Sequence, residues 1–266
     1  MDVNVLQRQF ARIGARAQVR WLDGSRIRGS VALDIVQDRV GELFDIRMSK
    51  DIPADVEVLH TEPQQRHLLL MSRSESDEKH KFLCGHDERH WFVAAVPENR
   101  VVSTVRTAME ALKPAEVVGR QLKMQVRKKN WNRRRNEAFI RQGEWFFVPE
   151  PLLFVSANLV LTNEPLRRGG GKPHMVEFLY RSGGEVVYVS SQKPNGLTQT
   201  QFNTFVSRRP EAKSWNWSTM RRNPSVYVKG RVRHADHATI VLHDWHRVLM
   251  NTETQAAAMR HVAFLD

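Results

Sequence analysis

The stretch GRVRHADHATIVLHDWHRV, residues 230–248, places His234, His237, His243 and His246 within thirteen residues. Imidazole is a common metal ligand and exchanges protons near neutrality, so this density suits a metal site, acid–base chemistry or a surface facing phosphate. The segment reads as two strands joined by an Ala235-Asp236 turn, which makes His234 and His237 cross-strand neighbours about 5 Å apart. The same spacing recurs for His243 and His246 around Asp244-Trp245. A three-stranded meander would then hold the two pairs a strand length apart, roughly 15 to 20 Å. Neither pair alone offers the three or four ligands of a tight zinc site. The expectation is no stoichiometric metal and no cofactor, with the histidines at the ends of a basic meander.

A second concentration, LCGHDERHWF, holds Cys84, His86, Asp87, Glu88 and His90. On an extended strand His86, Glu88 and His90 point the same way and offer two imidazoles and a carboxylate to a divalent cation; in a turn, Gly85 permits other arrangements. An enzyme would use His86, Glu88 and His90 as its catalytic set, with Glu88 or His90 as general base. Cys84 beside a histidine could form a nucleophile and base pair, but no oxyanion hole is evident. As the single cysteine it excludes an internal disulfide and any thiolate-rich zinc site.

The global signal is charge. Lys and Arg number 41 against 29 Asp and Glu, a net +12, which points to polyanionic partners. The segment RKKNWNRRRNEAF interleaves Arg127, Lys128, Lys129, Arg133, Arg134 and Arg135 with Trp131, a pattern that suits single-stranded nucleic acid: cations neutralise phosphates and an aromatic face stacks on a base. LRRGGGKPH adds Arg167, Arg168 and Lys172 on a glycine-rich tip. It is not a phosphate-binding P-loop, because Leu166 stands where the first glycine of that motif belongs. A third cluster, SRRPEAKSWNWSTMRRN, carries Arg221, Arg222 and Trp217, with Trp215 on the same face if the backbone is extended; the alternative is that both indoles pack under a loop.

Elements must position these groups. Asp23-Gly24 lies between alternating segments and predicts a two-residue hairpin; Gly183-Gly184 predicts a second. Val101, Val102, Val105, Ala108, Met109 and Leu112 form one helical stripe, with Asn99 as its N-cap and Pro114 ending it or opening the next helix. No apolar run approaches the roughly 18 residues of a membrane helix, and the start lacks a signal-peptide layout, so no membrane partner and a cytoplasmic location are expected. The fold class is α+β, with predominantly antiparallel sheets before and after a short helical, strongly basic middle: a β-rich domain at 1–98, a helical connector at 99–135 and a second β-rich domain at 136–266. The function expected is binding of RNA or single-stranded DNA. The alternatives are a metal-dependent hydrolase or nuclease using CGHDERH, and a basic scaffold subunit of a larger assembly.

Overall fold

The computed structural model describes residues 2–23, 27, 29–168, 171–257 and 259. It is a mixed α+β structure, with antiparallel sheets on either side of a helical middle. Helix α1 (Val3–Arg12) is capped by Asp2, whose carboxylate accepts the Asn4 and Val5 N–H groups at 2.9 and 3.2 Å and meets the positive end of the helix dipole. Its Leu6 and Phe10 are buried in the same core as residues of a three-stranded sheet: β1 (Ala17–Leu22), β2 (Val31–Gln37) and β3 (Glu42–Ser49), in the order β1-β3-β2. β1 runs parallel to β3 and does not pair with β2, so the hairpin expected at Asp23-Gly24 is not what joins them; Gly24 itself lies outside the described residues. Charge explains the central place of β3. Its buried Asp45 binds Arg20 of β1 and Arg47 of β3, and Arg47 also reaches Asp34 of β2.

A four-stranded meander follows, β4 (Ala54–Glu62), β5 (His67–Ser74), β6 (Lys79–Asp87) and β7 (His90–Val96). The unbroken apolar run of β5 is accounted for by burial on both faces: Leu68 and Leu70 join Phe10, Phe44 and Phe82 in one core, while Leu69 joins Leu83 and Ala94 beneath helix α2 (Val105–Ala111). α2 presents the predicted stripe but starts later than expected. Its cap is Thr104, not Asn99, because Thr104 and Thr107 satisfy each other's backbone N–H in a reciprocal box. Helix α3 (Ala115–Lys123) opens directly after Pro114.

Beyond the basic segment come β8 (Ile140–Gln142), β9 (Trp145–Pro149), β10 (Leu161–Leu166) and β11 (His174–Ser182). The chain then leaves that sheet to form a small module of β12 (Glu185–Ser190), β13 (Lys193–Leu197), helix α4 (Gln199–Arg208) and β14 (Ser218–Arg222), and returns as β15 (Ser225–Arg233) and β16 (Ile240–Met250). The main sheet has the order β10-β11-β15-β16-β9-β8. Gly183-Gly184 is therefore not a hairpin turn: β11 and β12 belong to different sheets. Both glycines have positive φ, and a Cβ on Gly184 would stand 2.8 Å from the Arg222 carbonyl oxygen, so glycine permits the two arms of the module to pass closely.

The second turn expected in the histidine segment is also absent. β16 continues through Asp244-Trp245 as one strand with a bulge against β15, where Val228 faces His246 and Gly230 faces Leu242, and it pairs with β9 from His246 onward. Asp244 tolerates positive φ but the bulky Trp245 does not readily supply the second positive φ that a type I′ turn needs. The end of the chain ties the two sheet regions together: Thr252 donates to the Ala111 and Leu112 carbonyls at 2.8 and 3.1 Å, and Ala256 enters the first core. Among the described residues no helix is long and apolar enough to cross a membrane.

Candidate metal centre

β11 and β15 pair antiparallel with Met175 opposite Arg233, which sets His174 beside His234 one step further out. The chain then loops through residues 234–239 into β16, and this loop brings His237 back to the same place. The imidazole centroids lie 4.2 Å (His174–His234), 4.8 Å (His234–His237) and 5.6 Å (His174–His237) apart. One ring nitrogen from each lies within 4.8 Å of the other two. Tetrahedral zinc with nitrogens at about 2.1 Å sets them about 3.4 Å apart, so the rings need only close by roughly an ångström.

His174 is 2% exposed, and neither of its ring nitrogens has a hydrogen-bond partner. Burial, reinforced by the two neighbouring imidazoles, pushes its pKa down to about 3, so it is neutral and its lone pair is available. His237 has Nδ1 3.4 Å from Glu88 Oε2. Nδ1 closes no hydrogen bond at that distance, but a proton there would face the carboxylate and leave Nε2 to ligate, as in the carboxylate–histidine pairs that orient metal ligands. Gly143 keeps the space before these atoms open: a Cβ there would sit 3.3 Å from His237 Nε2 and 3.8 Å from His174 Nε2. His234 is the least committed ligand. Its Nδ1 accepts the Asp236 N–H at 3.2 Å and its Nε2 lies 3.3 Å from the Lys172 carbonyl, so ligation requires one of two long contacts to be released.

Two elements clamp the loop. Ala238 donates its N–H to Glu88 Oε2 at 2.8 Å, and its carbonyl accepts from Gln142 Nε2 at 2.6 Å. Gln142 ends β8, and its turn to β9 contains Gly143 at φ +55°. Glu88 starts the two-residue turn that closes β6 on β7, at φ +47°, a left-handed conformation that a non-glycine side chain adopts at a cost of about 1 kcal/mol or more. Arg134 Nη1 holds the same carboxylate at 3.0 Å.

The residues of CGHDERH therefore do not share one strand face, because the turn after Asp87 separates them. His86 packs edge-on against Trp91, centroids 4.9 Å apart. His90 is engaged on both nitrogens, with Nδ1 2.6 Å from Glu42 Oε1 and Nε2 3.6 Å from Asp236 Oδ1. Glu88 alone meets the histidine cluster directly, through His237. Cys84 is fully buried and its thiol pKa is pushed up by that burial, which removes it as a nucleophile.

The basic segment divides in two. Asn136 accepts the Ala138 and Phe139 N–H groups at 2.9 and 3.3 Å, Phe139 is buried, and the resulting turn directs Arg134 and Arg141 inward to Asp87. Arg127, Lys128, Lys129, Arg133 and Arg135 are exposed. Trp131 is packed against the cluster around Phe139 and Phe146, with its indole N–H donated to the Val126 carbonyl at 2.7 Å. Those contacts hold one side of the partly buried indole in that cluster. Trp217 stacks on Trp215 with centroids 5.8 Å apart and donates to the Ala212 carbonyl at 2.8 Å, forming the small core of the inserted module with Phe202 and Phe205. In that module Arg222 pairs with Glu185 at 2.5 Å and Arg221 is exposed. On the β10–β11 loop, Arg167 is exposed, Arg168 pairs with Glu253, and Lys172 binds Asp236 at 2.8 Å; Gly169 and Gly170 lie outside the described residues.

His174, Gln142 and Gly143 join the cluster from outside the sequence candidates, and the second turn that would hold the two histidine pairs a strand apart is not formed. LRRGGGKPH carries His174 at the start of β11, but nothing within that segment pairs it with residues 234–237. No family model, curated protein or solved structure matches this chain.

Proposed function

We propose that the protein is a metal-dependent hydrolase of a polyanionic substrate, centred on His174, His234 and His237. The supporting observation is the buried His174 imidazole, left without a hydrogen-bond partner beside two further imidazoles. A buried imidazole beside two others is a donor set that a bound metal ion would satisfy. Three neutral nitrogen donors suit zinc with its fourth position open, the pattern of catalytic rather than structural zinc. Bound there, the metal would supply Lewis acidity and a water of lowered pKa. Glu88 orients His237, and Asp236, held by Lys172 and His90, fixes the loop that carries both loop histidines.

The cavity beside the cluster is lined by the two loop histidines, by the cations Lys113, Arg133, Arg141 and Arg168 and by the carboxylates Asp87, Glu144, Asp236 and Glu253, of which Asp87 and Glu253 are paired with Arg141 and Arg168. The test is metal analysis after dialysis together with cleavage of single-stranded RNA and DNA. About one equivalent of zinc is expected in the wild type and none in His174→Ala or His234→Ala. Equal metal content in the wild type and both folded variants would sink the proposal. Retained zinc without cleavage of either polymer would leave a metal site and remove the hydrolase.

A further inference from the structure

A second cavity adjoins the first, and Asn132, Arg133 and Arg141 line both. Lys129, Arg133, Arg134 and Arg141 line it together with His67 and His86, and no carboxylate is among its lining residues. Asp87 and Glu88 neutralise part of this charge through Arg134 and Arg141. Among the described residues Lys129 and Arg133 have no such partner. An oxyanion therefore fits the cationic wall, where Arg141 Nε is buried and unbonded.

The other unmet atoms ask for something an oxyanion cannot give. His67 is 7% exposed and its Nδ1 faces the Gln65 carbonyl, so the proton sits on Nδ1 and the unpartnered Nε2 is a bare acceptor. Burial pushes its pKa down to about 4, which keeps it in that neutral form. Asn132 Oδ1 is a second buried acceptor without a donor. Both acceptors are closed to solvent, His67 Nε2 beside Gly85, so an occupant that carries anionic oxygens and hydroxyl donors on one small frame satisfies both walls once these side chains turn toward it.

We infer that this cavity is a subsite for a phosphorylated ribose unit, its phosphate on Lys129, Arg133 and Arg141 and its hydroxyls on His67 and Asn132. The inference rests on the hydrolase reading only for the role of the bound unit, which the shared residues place next to the three histidines. It gives the substrate class as ribonucleotide rather than deoxyribonucleotide, since a site built to accept a hydroxyl proton loses that bond when the hydroxyl is missing.

Calorimetric binding of ribose 5-phosphate, 2-deoxyribose 5-phosphate and inorganic phosphate to chelator-treated wild type and to His174→Ala tests this without metal or turnover. Ribose 5-phosphate is expected to bind both proteins equally and about tenfold more tightly than the other two ligands. The Lys129→Gln, Arg133→Gln double variant changes exposed side chains, keeps its melting temperature, and is expected to lose about tenfold in affinity with a shallower salt dependence. Asn132→Ala narrows the ribose preference. No binding to the wild type at low salt, or binding unchanged in the double variant, overturns the subsite. Equal affinity for all three ligands reduces it to an anion site and overturns the ribose assignment. Loss of zinc binding with the subsite intact would bear on the hydrolase proposal alone.

Discussion

Two buried polar clusters in this molecule are built to opposite rules. Around Asp45 each carboxylate oxygen has two donors: Arg20 Nε at 2.8 Å and Gln18 at 3.1 Å on Oδ1, Arg47 Nε at 2.6 Å and Arg20 Nη2 on Oδ2. Burial would raise the pKa of that carboxyl, but the two guanidiniums outweigh it and hold it below the usual carboxylate range. Around His174 the chain does the reverse, bringing three imidazoles together and leaving the buried one unbonded. The Asp45 carboxylate is satisfied by the fold, whereas the buried His174 ring beside two further imidazoles is not, and that difference marks the second cluster as the candidate site.

The contrast is sharpest in the response to removal. Asp45→Ala strips a fully buried charge from two arginines and should cost about 3 to 5 kcal/mol of stability, read as a lower urea midpoint at unchanged slope. A loss under about 1 kcal/mol would show that the cluster is not a staple. His67, the buried histidine of the second cavity, should give an intermediate effect through pH. Its folded pKa of about 4 lies below the ordinary 6.5, so the folded state binds fewer protons. Its contribution is complete above about pH 6.5 and lost as pH falls through about 4, by roughly 3 kcal/mol. Urea titrations across that window should show the slope, and His67→Asn should flatten it; identical slopes in the two proteins would refute the assignment. The smallest effect belongs to the open cluster. His174→Leu replaces an unbonded imidazole with an apolar side chain of similar size, and without metal it should change stability by less than about 1 kcal/mol in either direction. A loss as large as that of Asp45→Ala would mean that His174 is an ordinary core residue.

What the sequence revealed followed the range of each interaction. The proximity of His234 and His237 was legible because a short loop enforces it, and the helix over 101–112 because its apolar stripe repeats within one element. The apolar run of β5 announced burial but not that it faces two cores. His174 was out of reach locally: it comes to the cluster through strand pairing across the whole inserted module, and no short-range pattern encodes that register. The Asp23-Gly24 and Gly183-Gly184 readings failed for a related reason. Turn chemistry tells where a chain bends, while the partner of the next strand is decided by what lies elsewhere, such as Asp45 drawing β1 to β3. In the basic segment a count along the chain does not tell direction: Asn136 folds Arg134 and Arg141 inward while Arg127, Lys128, Lys129, Arg133 and Arg135 stay exposed.

The module at residues 183–224 leaves the main sheet at Ser182 and rejoins it at Ser225, and those two residues are direct partners across β11 and β15. Its two attachment points are thus as close as the ends of an ordinary turn, at the opposite end of the same strand pair from His174 and His234. Joining Ser182 directly to Ser225 by a short turn therefore asks for no change in the β11–β15 register that sets His174 beside His234.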